Sequence, residues 1–314
     1  MIEQLRFPTV SFSISLLIVT AGCQSTDESA SQPPVEAAPI AVAPTEANQT
    51  EEVLIEATRD EIAPIEAPLE EGFVRIFNGE NFDGWYLKLR NDDEELAKRI
   101  FAIEDGMIHV FNDSFPDEYE LNTGGNETHG LIYTEKVYSK YILRFDYKWG
   151  SRIANNFDDW QYDAGLYYHV IDDKIWPVGI EYQIRYDHTT GRNHTGDFIR
   201  PKGTRFVWHA TEDGSHYLHP DDGGKRYKKK SWQLYAKPTE NFNALNGEWN
   251  ECEVIVMGDE YAIHKLNGEV VNMAVKLKPD AGIFGFQSET AEIFYRNIRI
   301  KELEESIPAE EFLD

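Results

Sequence analysis

From about residue 72 to residue 305, apolar and polar residues alternate in short runs that are broken by Gly, Asn and Asp. A period of two is typical of β-strands that bury one face, and turns such as GDE and NGE between the runs indicate hairpins. Only DDEELAKRIF (92–101) has the spacing of an amphipathic helix. The pattern predicts an all-β fold, a jelly-roll β-sandwich of two antiparallel sheets.

One predicted strand, GIEYQIRYD (Gly179–Asp187), has an unusual polar face. Its apolar residues face one way, and an acid, an amide and a guanidinium face the other: Glu181, Gln183 and Arg185. Such a face is either a solvated surface or the floor of a cleft that holds a polar ligand.

Two further predicted strands also have a polar face. DAGLYYHV (163–170) alternates so that Asp163, Tyr167 and His169 are expected on one side and apolar or aromatic residues on the other. FGFQSE (284–289) is expected to place Gln287 and Glu289 opposite its two phenylalanines. Three strands would then supply proton-transfer and hydrogen-bonding groups to one surface.

The N-terminal quarter of the chain has a different composition. The stretch SFSISLLIVTAGC (11–23) is too short to span a bilayer and ends at Cys23, so residues 1–22 are predicted to be a lipoprotein signal and Cys23 its lipidation site. An ordinary cleaved signal peptide is the alternative. Gln24 favours the outer membrane over the inner one. Residues 24–71 contain six prolines, twelve acids and no aromatic residue, which predicts a disordered acidic tether over 23–71.

The formal net charge of −26 argues against nucleic acid and anionic membrane surfaces as partners, since both would repel the chain. The membrane is expected to be contacted through the N-terminal lipid only. With two cysteines, Cys23 and Cys252, no disulfide framework is expected. The folded domain is assigned to 72–305 and a C-terminal tail to 306–314. A long insert over 202–246, rich in aromatic residues and His and containing KRYKKK, is either a functional loop or a solvated excursion.

Several motifs in order resemble the 3-keto-disaccharide hydrolase domain family: FNGENFDGW, HGLIYTEKVYSKYILRFDYKW, GIEYQI, GEWNECEV and GIFGFQSETAEIFYRNIRIKEL. The likeness runs from about Gly72 to Leu303. It implies a concanavalin A-like jelly roll with a polar cleft on its concave face, in a family with many exported lipoproteins. Members are thought to cleave glycosides whose sugar carries a ketone at carbon 3.

The resemblance also implies that Glu181, Gln183 and Gln287 line the cleft. His169 stands where the family often has Arg. Glucanases on similar folds use the pattern Glu-x-Asp-x-x-Glu, and here Gln183 and Tyr186 interrupt it, so ordinary retaining hydrolysis is not expected from this strand. A 3-keto sugar needs a different set of groups. A base removes the acidified hydrogen on carbon 2, donors hold the enolate oxygen, and an acid protonates the leaving oxygen.

The candidate catalytic residues are therefore Glu181, His169 and Glu289. The candidate substrate-binding residues lie on the same strands or at the mouth of the cleft, and Trp176 could stack on a sugar ring. They are Gln183, Arg185, Tyr167, Gln287, Trp176 and His129. Trp85 and Trp249 are expected to be core anchors.

No cofactor is expected. A divalent cation is possible at Asp187, His188, His194 and Asp197, although their spacing matches no strong metal motif. Because no dinucleotide fingerprint is present, a separate sugar 3-dehydrogenase would have to produce the ketone.

Three other readings remain open at the level of sequence. The domain could be a carbohydrate-binding module without catalysis, a partner-binding domain that docks through its acidic tether and KRYKKK, or a conventional glycosidase.

Overall fold

The computed structural model describes residues 68–115, 128–154 and 162–313. The predicted signal 1–22, the lipidation site Cys23 and most of the predicted tether lie outside these residues. The described residues form eighteen strands. In chain order these are β1 (Val74–Arg75), β2 (Trp85–Leu89), β3 (Phe101–Glu104), β4 (Met107–Val110), β5 (Gly130–Thr134), β6 (Lys140–Ile153), β7 (Tyr162–Val170), β8 (Ile180–Asp187), β9 (Arg192–Asn193), β10 (Phe198–Ile199), β11 (Arg205–Ala210), β12 (Lys225–Arg226), β13 (Gln233–Leu234), β14 (Asn250–Met257), β15 (Tyr261–Leu266), β16 (Glu269–Lys278), β17 (Ile283–Ser288) and β18 (Ala291–Glu302).

The strands make two antiparallel sheets, which confirms the predicted fold class. The first sheet has the order β12-β11-β16-β15-β14-β6-β18-β4-β3, with β1 paired to β18. The second has the order β13-β10-β8-β7-β17-β5-β2, with β9 paired to β8. Some strands that are neighbours in the second sheet, such as β7 and β17, are far apart in sequence. The centre of this sheet is formed by β8, β7 and β17.

The core lies between the two sheets, and the alternation of β8 explains its orientation. Ile180, Tyr182 and Ile184 are buried in the main hydrophobic cluster with side chains of the first sheet such as Phe145 and Val254. Burying each such side chain contributes about 1.5–3 kcal/mol. A shift of β8 by one residue would put its charged residues into this core, so the register is strongly specified. The opposite face of β8 is thereby turned outward.

The predicted helix is present as α1 (Glu94–Ile100). Asp93 caps it by accepting a hydrogen bond from the backbone N–H of Leu96 at 3.0 Å. Acidic residues occupy the first turn and basic residues the last, in the sense that the helix dipole favours. Two short 3₁₀-helices lie at Pro220–Asp222 and Ala309–Phe312. None of the helices in the described ranges is long and apolar enough to span a membrane.

Residues 68–71, which the sequence places in the tether, are part of the folded structure. Glu70 accepts hydrogen bonds from Arg299 at 3.0 Å and from Arg144 at 3.1 Å, and these contacts hold the pKa of its carboxyl down at about 2. Leu69 packs on a second hydrophobic cluster, together with Ile307 and Phe312 from the C-terminal segment. Composition alone did not show that this acid would meet two arginines.

The insert is attached to both sheets. Its β13 pairs with β10, and β11 extends the edge of the first sheet beside β16. Asp197, which is almost fully buried, accepts hydrogen bonds from Gln233 at 2.8 Å and from the backbone N–H of Ala236 at 2.6 Å. These contacts place the end of the insert beside β8.

Candidate active site

The outer face of the second sheet carries a cavity of about 590 Å³. Its floor is formed by β7, β8 and β17. Glu181, Gln183 and Arg185 all line it, although each is no more than about 4% exposed. The polar face of this strand is therefore the floor of a cleft.

Glu181 lies at the bottom of the cleft, in space left by a glycine on the neighbouring strand. A Cβ at Gly165 would lie 2.3 Å from Glu181 Oε1 and 3.1 Å from Gln287 Oε1, so only glycine leaves room for this carboxyl. Glu181 is hydrogen-bonded to Tyr167. Burial raises the pKa of Glu181 to about 8 against the opposing effect of that hydrogen bond.

A second carboxyl, Asp163, stands on β7 opposite Arg185. It accepts a hydrogen bond from Gln183 Nε2 at 2.5 Å, and the same nitrogen donates to the Ala164 carbonyl at 2.9 Å. Arg185 NH1 lies 3.9 Å from Asp163 Oδ2. Burial raises the pKa of Asp163 to about 7, while Arg185 and Gln183 oppose the rise. Gln183 thus positions this acid and leaves Glu181 to face the cavity.

The third carboxyl, Glu289, follows β17 directly. Its Oε1 lies 3.6 Å from His129 Nδ1, and its side chain is 16% exposed. Burial raises its pKa well above the usual range, and the charges of Asp163 and Glu181 act in the same direction. Burial, with the nearby Arg90, lowers the pKa of His129 to about 4, so this ring is neutral at physiological pH.

Gln287 points into the cavity between the carboxyls. It is 1% exposed, and its Oε1 has no hydrogen-bond partner among the described residues. A buried amide oxygen without a partner carries a desolvation cost that a ligand hydroxyl would relieve. This geometry marks the position as one built to bind.

Two exposed tryptophans form walls on opposite sides of the floor. Trp176, in the loop between β7 and β8, contacts His129 and Arg90, which lie next to β5 and β2. Trp232 comes directly before β13, at the other edge of the same sheet, and its carbonyl accepts from the backbone N–H of Arg200 at 2.7 Å. The two residues are 44% and 55% exposed respectively, and both line the cavity.

The prediction that His169 is a catalytic residue on the polar face of its strand was wrong. Its backbone has a φ of 51°, and the pairing of β7 with β17 slips at this point. This β-bulge interrupts the alternation and turns the imidazole to the core side, where Nδ1 lies 3.1 Å from the Pro279 carbonyl and Nε2 3.2 Å from the Ser139 carbonyl. Val170 takes the outward position instead, in a cluster with Tyr133 and Tyr167.

The four weak metal candidates are not brought together. Asp187 accepts hydrogen bonds from Thr189 and Thr190 in the turn after β8, and His188 contacts Tyr162. His194 pairs with Asp197 at 3.0 Å, but the carboxylate of Asp197 is occupied by the insert. Among the described residues, no group of three or more His, Cys, Asp or Glu could hold a metal ion.

The other tryptophans lie elsewhere. Trp85 is a core residue whose Nε1 donates to the Ile76 carbonyl at 2.7 Å. Trp249 is half-buried under the cations of Lys148 and Arg296, on the outer face of the first sheet rather than in the core.

Sequence reasoning missed three wall residues, Trp232, Arg200 and Lys202, and gave Asp163 no role. The available signal was the composition of the insert, which is aromatic and basic in an acidic chain. Alternation could place Asp163 on the correct face but could not show its pairing with Gln183.

The chain resembles several solved structures, all at less than 25% identity. A candidate glycosyl hydrolase of Parabacteroides distasonis is 23% identical, with a TM-score of 0.45 over 76% of this chain and 99% of that one. A second from the same organism is 18% identical, with a TM-score of 0.44 over 74% and 99%. A carbohydrate-binding module of Bacillus subtilis is 11% identical, with a TM-score of 0.43 over 70% and 96%. No curated protein matches the chain.

One family model matches residues 72–301, which is nearly the whole of the described structure. Its description is a 3-keto-alpha-glucoside-1,2-lyase-like domain. The match spans all three floor strands and the insert, and it confirms the resemblance drawn from the motifs. The chain therefore belongs to the 3-keto-alpha-glucoside-1,2-lyase-like domain family.

Proposed function

We propose that this protein cleaves glycosides of 3-keto sugars by elimination across carbons 1 and 2, followed by hydration. Family membership supports a carbohydrate-active protein that acts on glycosides. The observation that carries the finer proposal is the convergence of buried carboxyls with raised pKa values around the open hydrogen-bonding position of Gln287. Perturbed acids that meet in a cleft are typical of proton-transfer sites.

The reaction balances without an added oxidant or reductant. The base takes the hydrogen from carbon 2, and the electron pair of that bond forms the double bond between carbons 1 and 2. The bond from carbon 1 to the glycosidic oxygen breaks, and that oxygen leaves with a proton from the acid. Water then adds to carbon 1 while a proton returns to carbon 2, which gives the free 3-keto sugar.

Glu181 is assigned as the base. It is buried at the floor and hydrogen-bonded to Tyr167, and a carboxylate in a dry site is a stronger base than one in water. Its raised pKa also means that only its ionised minority starts the reaction at neutral pH.

Glu289 is assigned as the acid that protonates the leaving oxygen. Burial and the neighbouring carboxyls hold it protonated, and it is the most exposed of the three acids, toward the mouth of the cleft. Arg185 is assigned to the ketone and its enolate oxygen, because a guanidinium donates to developing negative charge, and the open Oε1 of Gln287 is assigned to accept from a sugar hydroxyl.

The test uses a 3-keto disaccharide and its unoxidised parent, each incubated with the full-length chain and followed by mass spectrometry. The proposal predicts cleavage of the keto form alone. Cleavage of both forms would indicate a conventional glycosidase, and binding without cleavage of either would indicate a carbohydrate-binding module.

The proposal includes export and anchoring through Cys23, supported by the sequence pattern alone. It also places the protein downstream of a separate sugar 3-dehydrogenase, because the substrate must already carry the ketone. Mass spectrometry of the mature N-terminus checks the first point: a diacylated Cys23 is expected, and a free N-terminus elsewhere would contradict it.

A further inference from the structure

The wall of the cleft that the insert supplies has its own chemistry. Trp232 is more than half exposed, yet its position is fixed by the backbone hydrogen bond from Arg200 and by the pairing of β13 with β10. The guanidinium of Arg200 donates to the Ser231 carbonyl at 2.6 Å, which braces the same turn. An exposed ring held in place at a cavity is prepared to contact a ligand.

This wall is also basic, in a chain that is strongly acidic. Residues 200–237 contain nine Lys and Arg against four Asp and Glu, whereas the whole chain has 30 against 56. Two of these cations, Arg200 and Lys202, line the cavity beside Trp232. Lys202 is exposed there and forms no ion pair with any residue in the described ranges.

The opposite wall differs. Trp176 lies beside His129, which contacts Glu289, and the Tyr133 hydroxyl donates to the Lys174 carbonyl of the same loop at 2.7 Å. Glu289 adjoins that side, whereas Glu181 pairs with Ile199 next to Arg200, so the reacting sugar is expected on the floor between the two walls. The wall formed by Trp232, Arg200 and Lys202 is the more open one, and it suits the portion that departs.

We infer that Trp232, Arg200 and Lys202 form a leaving-group subsite that recognises a ring carrying a carboxylate. The ring would lie against Trp232 while the carboxylate meets Lys202 and Arg200. The inference rests on the proposed function and adds to it a class of substrate: 3-keto glycosides with an anionic leaving group. An aryl carboxylate and a uronic acid both offer this chemistry.

The test compares two 3-keto glucosides, one with a 4-carboxyphenyl and one with a 4-hydroxymethylphenyl leaving group, so that only the charge differs greatly. For the full-length chain we expect kcat/KM to be about fivefold higher for the carboxylate, as for one partly exposed ion pair, and the advantage to shrink with added salt. A 3-keto glucoside of glucuronic acid distinguishes the two sources of the carboxylate. A higher kcat/KM for it than for the 4-carboxyphenyl substrate assigns the subsite to uronic acids.

Lys202→Gln should bring the ratio of the kcat/KM values for the two aryl substrates close to one, because it removes the cation that the carboxylate meets. Lys225→Gln is the matched control: it makes the same change of charge within the same insert, on an exposed strand that does not line the cavity. We expect it to keep the wild-type ratio. Trp232→Ala should raise KM for both substrates, and Trp232→Phe should restore part of the loss.

Equal kcat/KM values for the two aryl substrates in the wild type, or a ratio that Lys202→Gln does not change, would overturn the inference and leave the proposed function standing. Dissociation constants for the unoxidised aryl glucosides, measured by calorimetry, give a readout without turnover. If the carboxylate binds more tightly and Lys202→Gln abolishes the difference while neither keto substrate is cleaved, the subsite stands and the proposed function fails.

Discussion

Two clusters of carboxyls in the described part of the chain have environments that act in opposite directions. At the junction of β3, β4 and β18, His109 lies 2.5 Å from Glu104 and 2.7 Å from Glu292. Glu292 also accepts from the backbone N–H groups of Ser151 and Arg152 at 2.7 and 3.0 Å. Burial would raise the pKa of Glu292, but these contacts outweigh burial and lower it.

In the cleft, burial prevails instead. The pKa values of Glu181, Asp163 and Glu289 are all raised, although Arg185 lies among them. The first cluster has donors for its carboxylates, so we interpret its role as structural. The second faces a cavity, and its donors Tyr167, Gln183 and Arg185 do not offset the burial of its three carboxyls. The comparison shows that function is indicated here by carboxyls whose pKa values stay raised next to open space, rather than by burial of charge alone.

The largest effect is expected from Glu181→Gln. It removes the assigned base while keeping the shape of the side chain, so we expect kcat on a 3-keto glycoside to fall by about 10³-fold. Steady-state kinetics measures this. Glu304→Gln, at an exposed acid outside the sheets, should leave kcat unchanged. A loss of less than about tenfold for Glu181→Gln would assign the base elsewhere.

The same variant has a predicted effect on stability. Because the pKa of Glu181 is raised to about 8 in the folded chain from 4.5, the wild type loses stability as pH rises between those values. Glu181→Gln has no carboxyl at this position, so its stability does not fall with pH for this reason. Thermal unfolding should show the variant gaining at least about 1 kcal/mol on the wild type at pH 8, or about 2–4 °C in Tm, with little gain at pH 4. An equal difference at both pH values would contradict the raised pKa.

His109→Ala tests the paired cluster. It leaves the buried carboxylate of Glu292 and the half-exposed carboxylate of Glu104 without their shared partner, so we expect the free energy of unfolding to fall by about 1–3 kcal/mol. Hydrogen bonds to Glu292 and Glu104 outweigh burial and raise the pKa of His109, so its contribution is present at low pH and is lost as pH rises through that raised value. Denaturant unfolding at several pH values measures both.

His216→Ala is the control, because the bond this ring makes among the described residues is to the neighbouring Ser215 hydroxyl, and its loss should change stability by less than about 0.5 kcal/mol. Equal losses of stability in the two histidine variants would contradict the structural role of the cluster around His109.

Gly165→Ala tests the fit of Glu181. The added Cβ would lie 2.3 Å from Glu181 Oε1, so the carboxyl must move, and we expect kcat to fall by about 10²-fold because catalysis depends on its position. The double variant with Glu181→Gln supplies the control. If Gly165→Ala acts through Glu181, its effect should be much smaller when the carboxyl is already gone, whereas full additivity would point to another cause.

The smallest effect is expected from His169→Asn, since asparagine tolerates the positive φ and the ring lies on the core side. We expect kcat/KM within about twofold of wild type and a loss of stability of about 1–2 kcal/mol from the altered hydrogen bonds. His129→Asn, inside the cleft, should reduce kcat/KM more. A larger loss of kcat/KM for His169→Asn than for His129→Asn would indicate that His169 belongs to the active site.

Alternation of apolar and polar residues in the sequence was sufficient to predict which side chains share a face in strands without a bulge. It placed Glu181, Gln183 and Arg185 on one face of β8 because core packing fixes the register of that strand. It failed at His169, where a bulge inserts one residue and reverses the faces. Nothing in DAGLYYHV marks that bulge, because a positive φ at a histidine is set by the tertiary packing of β7 on β17.

Long-range contacts could not be predicted in the same way. Trp232 reaches the cleft because β13 pairs with β10, two-residue strands that carry almost no local signal. The histidine-rich turn after β8 suggested a metal site, but Asp197 binds the returning insert instead. Glu70, which composition places in the tether, meets two arginines from other strands.

The most direct test of the central claim follows the hydrogen on carbon 2 of a 3-keto disaccharide in deuterated water. If the buried carboxyls of the cleft perform proton transfer, the 3-keto sugar released by the wild type carries deuterium at carbon 2, and Glu181→Gln forms neither product nor exchanged substrate. Release of product that keeps its original hydrogen at carbon 2 would contradict the elimination and the role assigned to Glu181.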